Sequence, residues 1–532
     1  MIAAPGSEAD TRAQDEPHTI GRWLTDRAAH APDRVAIDDR GVTIGYGRLA
    51  ARARQLSARL RTAGYGPGAR IATISGNSID HVVAFFACAL AGVAFVPLSW
   101  RLTPGEIADL LRRSDPALVL VDDEYDALAA AALRAEAGDA GPIRAVRQLG
   151  TTGAEISVPP FARASAAGDA PVRDDDPLLV IFTSGSEAAP KGVVLTHANC
   201  FWNNLALSGA LPVREDDVVL AMLPQHHVAA WNVQPLLAWW VGATVVLERS
   251  FQPRRVLQLI RERGVTCMMG VPTQYRMLAD DDSFRAADLH SVRLALVGGA
   301  TMPPDLHEEW ATHGVALTQG YGLTEAAPNV LHLPADEVAA RPGAVGRPYP
   351  HVDVRITDPR SGLELAGIAT GELQVRGPSV FAGYLGDATA TARALADGWL
   401  RTGDLVHRDA DGVYAVVDRL KNIYISGGEN VAPAEVERVL ARHPLVGEVA
   451  VVGAPDRVWG ERGVAFVVPR PGATLSEDEL LTHARRHLAA FKVPVHAVLV
   501  AELPRSGIDK IARARLRERA ARLMEEETHD PA

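Results

Sequence analysis

The sequence predicts an α/β fold of more than one domain. Three observations lead there. Short apolar, β-branched runs alternate with amphipathic stretches along the first part of the chain. After about residue 340 the texture changes to shorter strand-like runs spaced by glycine-rich turns. The 532 residues also exceed what one hydrophobic core organises.

The elements follow in chain order. Residues 71–74 and 118–121 read as buried strands, and between them lies the longest apolar stretch, 82–98. That stretch is marginal for a membrane span. Gly92 splits it, so it reads as a buried helix followed by a short strand. Thr103-Pro104-Gly105-Glu106 has the form of a capping box opening a helix over 107–113, with proline at the first helical position. Residues 178–182 form an apolar strand leading into a small-residue turn, and 193–195 form the apolar segment after it. Further buried strands are expected at 218–221, 244–247 and 294–297. This alternation argues for largely parallel sheets flanked by helices. The runs 352–357, 372–376 and 413–418 suggest a small antiparallel β-subdomain. Beyond 419 come strands at 449–452, 464–468 and 497–500, with helices at 434–441 and 476–490. Ser476 and Glu479 make a second capping box, and the whole is a small α+β domain. The expected division is a disordered tail over 1–18, an N-terminal domain over 19–420 with its β-rich part at 340–420, and a C-terminal domain over 421–532.

Composition narrows the function. A net charge of −11 disfavours broad-face nucleic-acid binding. The local basic run Lys510, Arg513, Arg515, Arg517, Arg519 and Arg522, followed by Glu525-Glu526-Glu527, reads as a solvated terminal helix. Cys88, Cys200 and Cys267 lack metal-ligand spacing and read as buried free thiols in a reducing compartment. The N-terminus has no apolar signal core. A soluble, cytoplasmic protein with no membrane span is expected, and its oligomeric state is not legible.

Chemistry concentrates first at residues 182–192, Phe-Thr-Ser-Gly-Ser-Glu-Ala-Ala-Pro-Lys-Gly. Such a turn offers backbone N–H groups, hydroxyls and one lysine, which suit nucleotide phosphates. It is not a Walker A loop, because Pro190 stands where glycine precedes the lysine. Alone, it reads equally well as a surface turn. Further along stand Val297-Gly298-Gly299-Ala300 and Gln319-Gly320-Tyr321-Gly322-Leu323-Thr324-Glu325. Then come Gly371-Glu372-Leu373-Gln374-Val375-Arg376-Gly377-Pro378 and Gly398-Trp399-Leu400-Arg401-Thr402-Gly403-Asp404-Leu405. Asp418-Arg419-Leu420-Lys421-Asn422, Ser426-Gly427-Gly428-Glu429-Asn430 and Leu503-Pro504-Arg505-Ser506-Gly507-Ile508-Asp509-Lys510 complete the set.

In this order, over almost the whole chain, these motifs resemble the adenylate-forming superfamily: acyl-CoA synthetases, aryl-acid ligases, luciferases and peptide-synthetase adenylation domains. The resemblance implies a large N-terminal domain, a hinge and a small mobile lid. It implies a two-step reaction in which an acid attacks the α-phosphate of ATP and a nucleophile, often the CoA thiol, then displaces AMP. On that resemblance Thr183, Ser184, Gly185, Ser186 and Lys191 would hold the β- and γ-phosphates, Thr324 would bond the α-phosphate, and Glu325 would hold Mg²⁺. Tyr321 would stack on adenine between Gly320 and Gly322, with Gly299-Ala300 over the other face. Asp404 would accept from the ribose hydroxyls, and Arg419 would add a charged donor to the ribose or phosphate. Lys510 would be the catalytic lysine of adenylation, a point charge between carboxylate and α-phosphate. Lys421 would be the hinge, and Gly427-Gly428 would admit a thin pantetheine-like arm. His227, in Pro224-Gln225-His226-His227-Val228, would wall the acid pocket and gate the thiol, with Trp231, Asn232 and Gly298 lining it.

Some positions depart from the family pattern. Glu187 and Ala188 replace threonine and glycine in the phosphate loop, and a carboxylate there repels triphosphate unless it turns away or meets Mg²⁺. Asp509 replaces glycine before the lysine, and Ala230 replaces a frequent glycine. In the segment 491–496, several CoA-using relatives carry added basic residues where this chain has Val493 and Val495. The expected function is therefore adenylation of a small aromatic or medium-chain acid, with ATP and Mg²⁺, followed by transfer to CoA. The alternatives are a carrier-protein or amine acceptor, nitrite activation for diazotisation, or an inactive homologue. Retention of Lys191, Glu325, Asp404, Arg419 and Lys510 speaks against the last.

Overall fold

The computed structural model describes residues 18–137, 145–149, 158–161, 170–183, 190–300, 302–426, 429–456, 459–506 and 510–529. The expected tail lies outside them except for residue 18. The chain forms two compact units. One runs to Val354 and takes in Val375–Arg401; the other comprises Arg355–Gln374 and the chain from Thr402.

Two sheets organise the first unit. In one, Ala94–Leu98, Arg70–Ile74, Leu118–Asp122 and Ala145–Leu149 run parallel, and Pro177–Thr183 joins Ala94–Leu98 in parallel. Every residue of Ala94–Leu98 and Leu118–Asp122 is buried. Parallel strands covered on both faces need such unbroken apolar runs. Lys191–Thr196 then pairs antiparallel with Pro177–Thr183 and closes a hairpin. In the other sheet Val35–Asp39, Thr244–Leu247, Val218–Ala221, Cys267–Gly270, Leu294–Val297 and Leu317–Gly322 are parallel neighbours. Asn329–Leu333 returns antiparallel. Leu220, Val246, Met268, Ala295 and Leu317 pack against Tyr275 and Trp310 in the core.

The apolar stretch at 82–98 is a helix, Ile79–Ala91, and the strand Ala94–Leu98. The Ser78 side chain caps the helix by accepting from the His81 N–H, and Gly92 ends it at φ 74, in the left-handed region that glycine tolerates. Among the described residues no helix is long and apolar enough to cross a membrane. The helix Pro104–Ser114 opens with both bonds of its capping box. Cys88, Cys200 and Cys267 are buried free thiols.

In the second unit, residues 404–408 pair antiparallel with the strand Tyr414–Arg419. Val446–Asp456 and Gly460–Pro469 form a long hairpin, and His496–Leu499 runs parallel to the latter. Side chains alternate across this sheet. Val451, Ala465 and Val467 pack with Val436, Leu440 and Leu480, whereas Val452, Val464 and Phe466 pack with Leu516 and Ala520. The terminal helix Arg513–His529 therefore differs from the solvated helix expected. Leu516 and Ala520, four residues apart, form a buried stripe that the charge count hides. Arg513 is tied down as well. Its guanidinium donates to both Glu437 oxygens at 2.6 and 3.0 Å and to the Val451 carbonyl at 2.8 Å.

Candidate functional site

The hairpin register sets Thr183 opposite Lys191 and Phe182 opposite Gly192, at the mouth of the turn that carries the phosphate motif. Ser184, Gly185 and Ser186 lie outside the described residues. The Lys191 ammonium sits 5.3 Å from the centroid of the Tyr384 ring. The Tyr384 hydroxyl donates to Glu325 Oε1 at 2.9 Å, and the Phe381 N–H donates to the Glu325 carbonyl at 2.9 Å. Thr324 and Glu325 begin a short 3-10 turn, Thr324–Ala326, directly after the strand Leu317–Gly322. The phosphate-motif lysine and the acidic candidate are thus joined through a tyrosine that the motif reading did not single out.

The Gly-Tyr-Gly segment has a steric cause. A Cβ on Gly322 would stand 1.6 Å from the Pro328 carbonyl oxygen, so no side chain fits. Tyr321 is half-buried beside it. Gln319, quoted in the motif but given no role, ties two segments together. Its Oε1 accepts from the Met302 N–H at 3.1 Å, and its Nε2 donates to the carbonyls of Ala300 at 3.2 Å and Gly320 at 3.0 Å. Gly299 (φ 80) and Ala300 are exposed. Gly298 is buried, and a Cβ there would meet Met269 at 3.1 Å. A long polar side chain, Gln319, inside the strand Leu317–Gly322 was the available signal for this tie.

His227 is half-buried, with its ring centroid 4.5 Å from that of His226. Desolvation, reinforced by the nearby Arg101 charge, lowers its pKa to about 4, so the imidazole is neutral at pH 7. Trp231 and Asn232, expected to line the acid pocket, stand in the short helix Ala229–Asn232. Both are fully buried. The indole stacks on Phe85 at 4.4 Å and donates to the Gln225 carbonyl at 2.7 Å. The Asn232 carbonyl accepts from the Asn203 amide at 2.7 Å.

In the second unit Asp404 is buried and lies opposite Arg419 in the antiparallel pair. Arg419 Nε contacts Asp404 Oδ1 at 2.6 Å. The turn before it is fixed by Thr402, whose hydroxyl donates to the Leu373 carbonyl at 2.7 Å and accepts from the Asp404 N–H at 3.0 Å. Gly403 adopts φ 69 there. Lys421 is exposed, and its carbonyl accepts from Arg517 at 2.9 Å. Gly427 and Gly428 lie outside the described residues. Lys510 is described in backbone only, paired with Ser506 in a two-strand ladder, and Asp509 lies outside the described residues.

A magnesium ion fits this residue set in one way. Mg²⁺ is commonly held by one or two carboxylates plus the phosphates of its substrate. Glu325 would supply one carboxylate, and the Tyr384 hydroxyl donates to it. Among the described residues no three His, Cys, Asp or Glu side chains converge on a metal site. The set suits a cation that arrives on a nucleotide.

Comparison with known proteins agrees with this geometry. The family described as AMP-binding enzyme matches residues 24–385, and its C-terminal domain matches residues 435–510. A feruloyl-CoA synthase of an Amycolatopsis species is 40% identical over 500 residues, 94% of this chain and 99% of the relative. The ATP-bound crystal structure of MatB from Rhodopseudomonas palustris superposes with a TM-score of 0.85 at 30% identity, covering 96% of this chain and all of that one. MenE of Bacillus subtilis, solved with ATP and magnesium ion, gives a TM-score of 0.81 at 28% identity, covering 93% of this chain and 98% of that one.

Proposed function

The chain belongs to the AMP-binding enzyme family, and on that premise we propose that it is an AMP-forming ligase joining a small aromatic or medium-chain acid to CoA. In the first step a carboxylate oxygen bonds to the α-phosphorus of ATP and the bond to the β-phosphate bridging oxygen breaks, releasing pyrophosphate. In the second, the thiol sulfur bonds to the acyl carbon, AMP leaves, and the thiol proton is lost. The linkage of Lys191, Tyr384 and Glu325 on one hairpin and one turn carries the reading. A lysine with a carboxylate beside it is what a magnesium triphosphate requires.

The remaining roles follow. Thr183, Ser184, Gly185, Ser186 and Lys191 bind the β- and γ-phosphates, and Thr324 the α-phosphate. Glu325 holds Mg²⁺, which supplies charge neutralisation at the phosphates. Tyr321, flanked by Gly320 and Gly322, stacks on adenine opposite Gly299 and Ala300. Asp404 accepts from the ribose hydroxyls and Arg419 orients that carboxylate. Lys510 neutralises charge as the adenylate forms. Lys421 is the pivot between half-reactions, and Gly427-Gly428 admits the thiol arm. His227, neutral at pH 7, offers the acid a wall without a cation. The aromatic choice rests on the feruloyl-CoA synthase relative.

One observation favours a second acceptor. Lys492 is engaged by both Glu435 oxygens at 2.7 and 2.8 Å, Val493 is buried, and Val495 packs on an apolar cluster. The segment therefore presents apolar and neutralised groups where a CoA nucleotide calls for cations, which suits a carrier-protein thiol or an amine. Acid-dependent ATP–pyrophosphate exchange tests the first step across benzoates, cinnamates and medium-chain acids. Acceleration of AMP release by CoA tests the second. Exchange without a CoA effect selects the second acceptor class, and absence of exchange with every acid overturns the reading.

A further inference from the structure

We propose that Tyr384 is a positioning residue that sets the carboxylate of Glu325 and the ammonium of Lys191 together, making ATP affinity depend on Mg²⁺ through one phenol. The inference deepens the adenylation reading and rests on it.

The backbone of Tyr384 is fixed from several directions. The two-residue strand Gly383–Tyr384 lies antiparallel to Lys191–Thr196, with Tyr384 opposite Val193 and Gly383 opposite Val194. The Ala382 N–H donates to the Val194 carbonyl at 3.0 Å, and the Leu385 N–H to the Gly192 carbonyl at 2.8 Å. The Tyr384 N–H donates to the Thr391 hydroxyl at 2.9 Å, and that hydroxyl donates to the Asp387 carbonyl at 2.7 Å. Gly383 permits this approach. Its φ is 143, and a Cβ would come within 2.9 Å of the Thr391 methyl.

From this anchored backbone the side chain reaches two groups at once. The ring face lies below the Lys191 ammonium, where its quadrupole attracts the cation. The hydroxyl donates to Glu325 Oε1, while Phe381, edge-on to the ring at 4.9 Å, holds the Glu325 carbonyl through its own N–H. A phenol donor fixes the carboxylate plane without cancelling its charge, which a dication needs. A lysine or arginine in its place would compete with the metal. The aromatic face, being uncharged, attracts Lys191 without adding an anion that would compete with phosphate for it. Tyrosine does both jobs because it has an apolar body and a polar tip.

The two halves of the side chain separate by mutation. Tyr384→Phe removes the hydroxyl and keeps the ring; Tyr384→Leu removes both. The measurement is equilibrium binding of ATP to the full-length protein by titration calorimetry, without acid, in excess Mg²⁺ and again in EDTA. In Tyr384→Phe the Mg²⁺-dependent gain in ATP affinity falls about tenfold, the scale of one hydrogen bond to a charged group, while binding in EDTA holds. In Tyr384→Leu the EDTA affinity falls as well, because Lys191 loses its seat. Thermal unfolding of the free proteins checks that both fold, and Tyr384→Phe carries the test if the leucine variant does not. Equal losses with and without Mg²⁺ in Tyr384→Phe, or no loss, overturn the inference. A wild-type protein that binds no ATP in either condition overturns the adenylation reading instead.

Discussion

Two carboxylates assigned to the nucleotide are held in opposite ways. Glu325, in the first unit, is half-buried and accepts a hydrogen bond from a neutral phenol. Asp404, in the second, has 2% of its surface exposed and pairs with a guanidinium. On the proposed roles, the difference matches what each would hold. A carboxylate intended for a dication keeps its full negative charge when its steadying partner is neutral. One intended for neutral hydroxyls needs only acceptor oxygens, and a buried carboxylate without a counter-charge is costly. The Arg419 side chain is 43% exposed, so water screens the pair and its net contribution to stability is modest. Its use is orientation.

The comparison is broken most directly at Glu325. Glu325→Gln keeps the shape and removes the charge. If the charge acts on the transferring phosphate as well as on the bound cation, pyrophosphate exchange should fall in kcat by about 10²–10³, some 3–4 kcal/mol of transition-state stabilisation, in addition to a rise in KM for ATP of about tenfold from the lost Mg²⁺-dependent affinity. An equal rise in KM with kcat intact would mean that Glu325 serves ground-state binding only.

Asp404 should fail differently. Asp404→Ala removes acceptors that ribose meets equally in ground state and transition state, so KM for ATP rises while kcat holds. The expected loss is about 2–3 kcal/mol in ATP binding, the scale of hydrogen bonds to a charged group. Steady-state exchange at varied ATP separates the two parameters. If Asp404→Ala lowers kcat as Glu325→Gln does, the two carboxylates do not differ in kind and the contrast fails.

The legible and illegible parts of this protein divide along the same physical line. Strands 218–221, 244–247 and 294–297 appear where expected because a buried parallel strand writes itself as one unbroken apolar run. Capping boxes at Thr103 and Ser476 are local and were equally readable. Tyr384 was not, because its importance depends on a two-residue strand crossing a hairpin some 190 positions earlier in the chain. No periodicity marks a strand of that length. The buried stripe of the terminal helix was missed because a charge count sees Arg513, Arg517 and Arg522 but not Leu516 and Ala520 among them. The packing of Trp231 on Phe85 was likewise not legible, because that partner lies far earlier in the chain. Features set by local sequence were read; contacts set by distant parts of the chain were not.

Acid sensitivity sharpens the contrast between the units, and it yields the smallest effect. In the first unit His197 is fully buried, and desolvation lowers its pKa to about 3. Its Nδ1 accepts from the Ile20 N–H at 3.1 Å, an arrangement that requires an unprotonated nitrogen. His81 is similar at about 4, accepting from the Thr73 hydroxyl and donating to Gln225. A folded pKa below the unfolded value near 6.5 gives stability that is complete above that value and is lost as pH falls toward the folded pKa. Each such histidine therefore removes about 1.4 kcal/mol per pH unit below 6.5, or about 2 kcal/mol by pH 5. In the second unit His483 is only lowered in direction, with opposing help from the Val439 carbonyl, and should add little. His197→Asn keeps an acceptor for Ile20 and cannot titrate. It destabilises at pH 7 through lost volume, but the gap to wild type should close by about 2 kcal/mol between pH 6.5 and 5. Urea unfolding followed by tryptophan fluorescence reads this out, since Trp459 is the one of nine tryptophans in the second unit. A gap that stays constant with pH would mean that His197 is not buried in its neutral form.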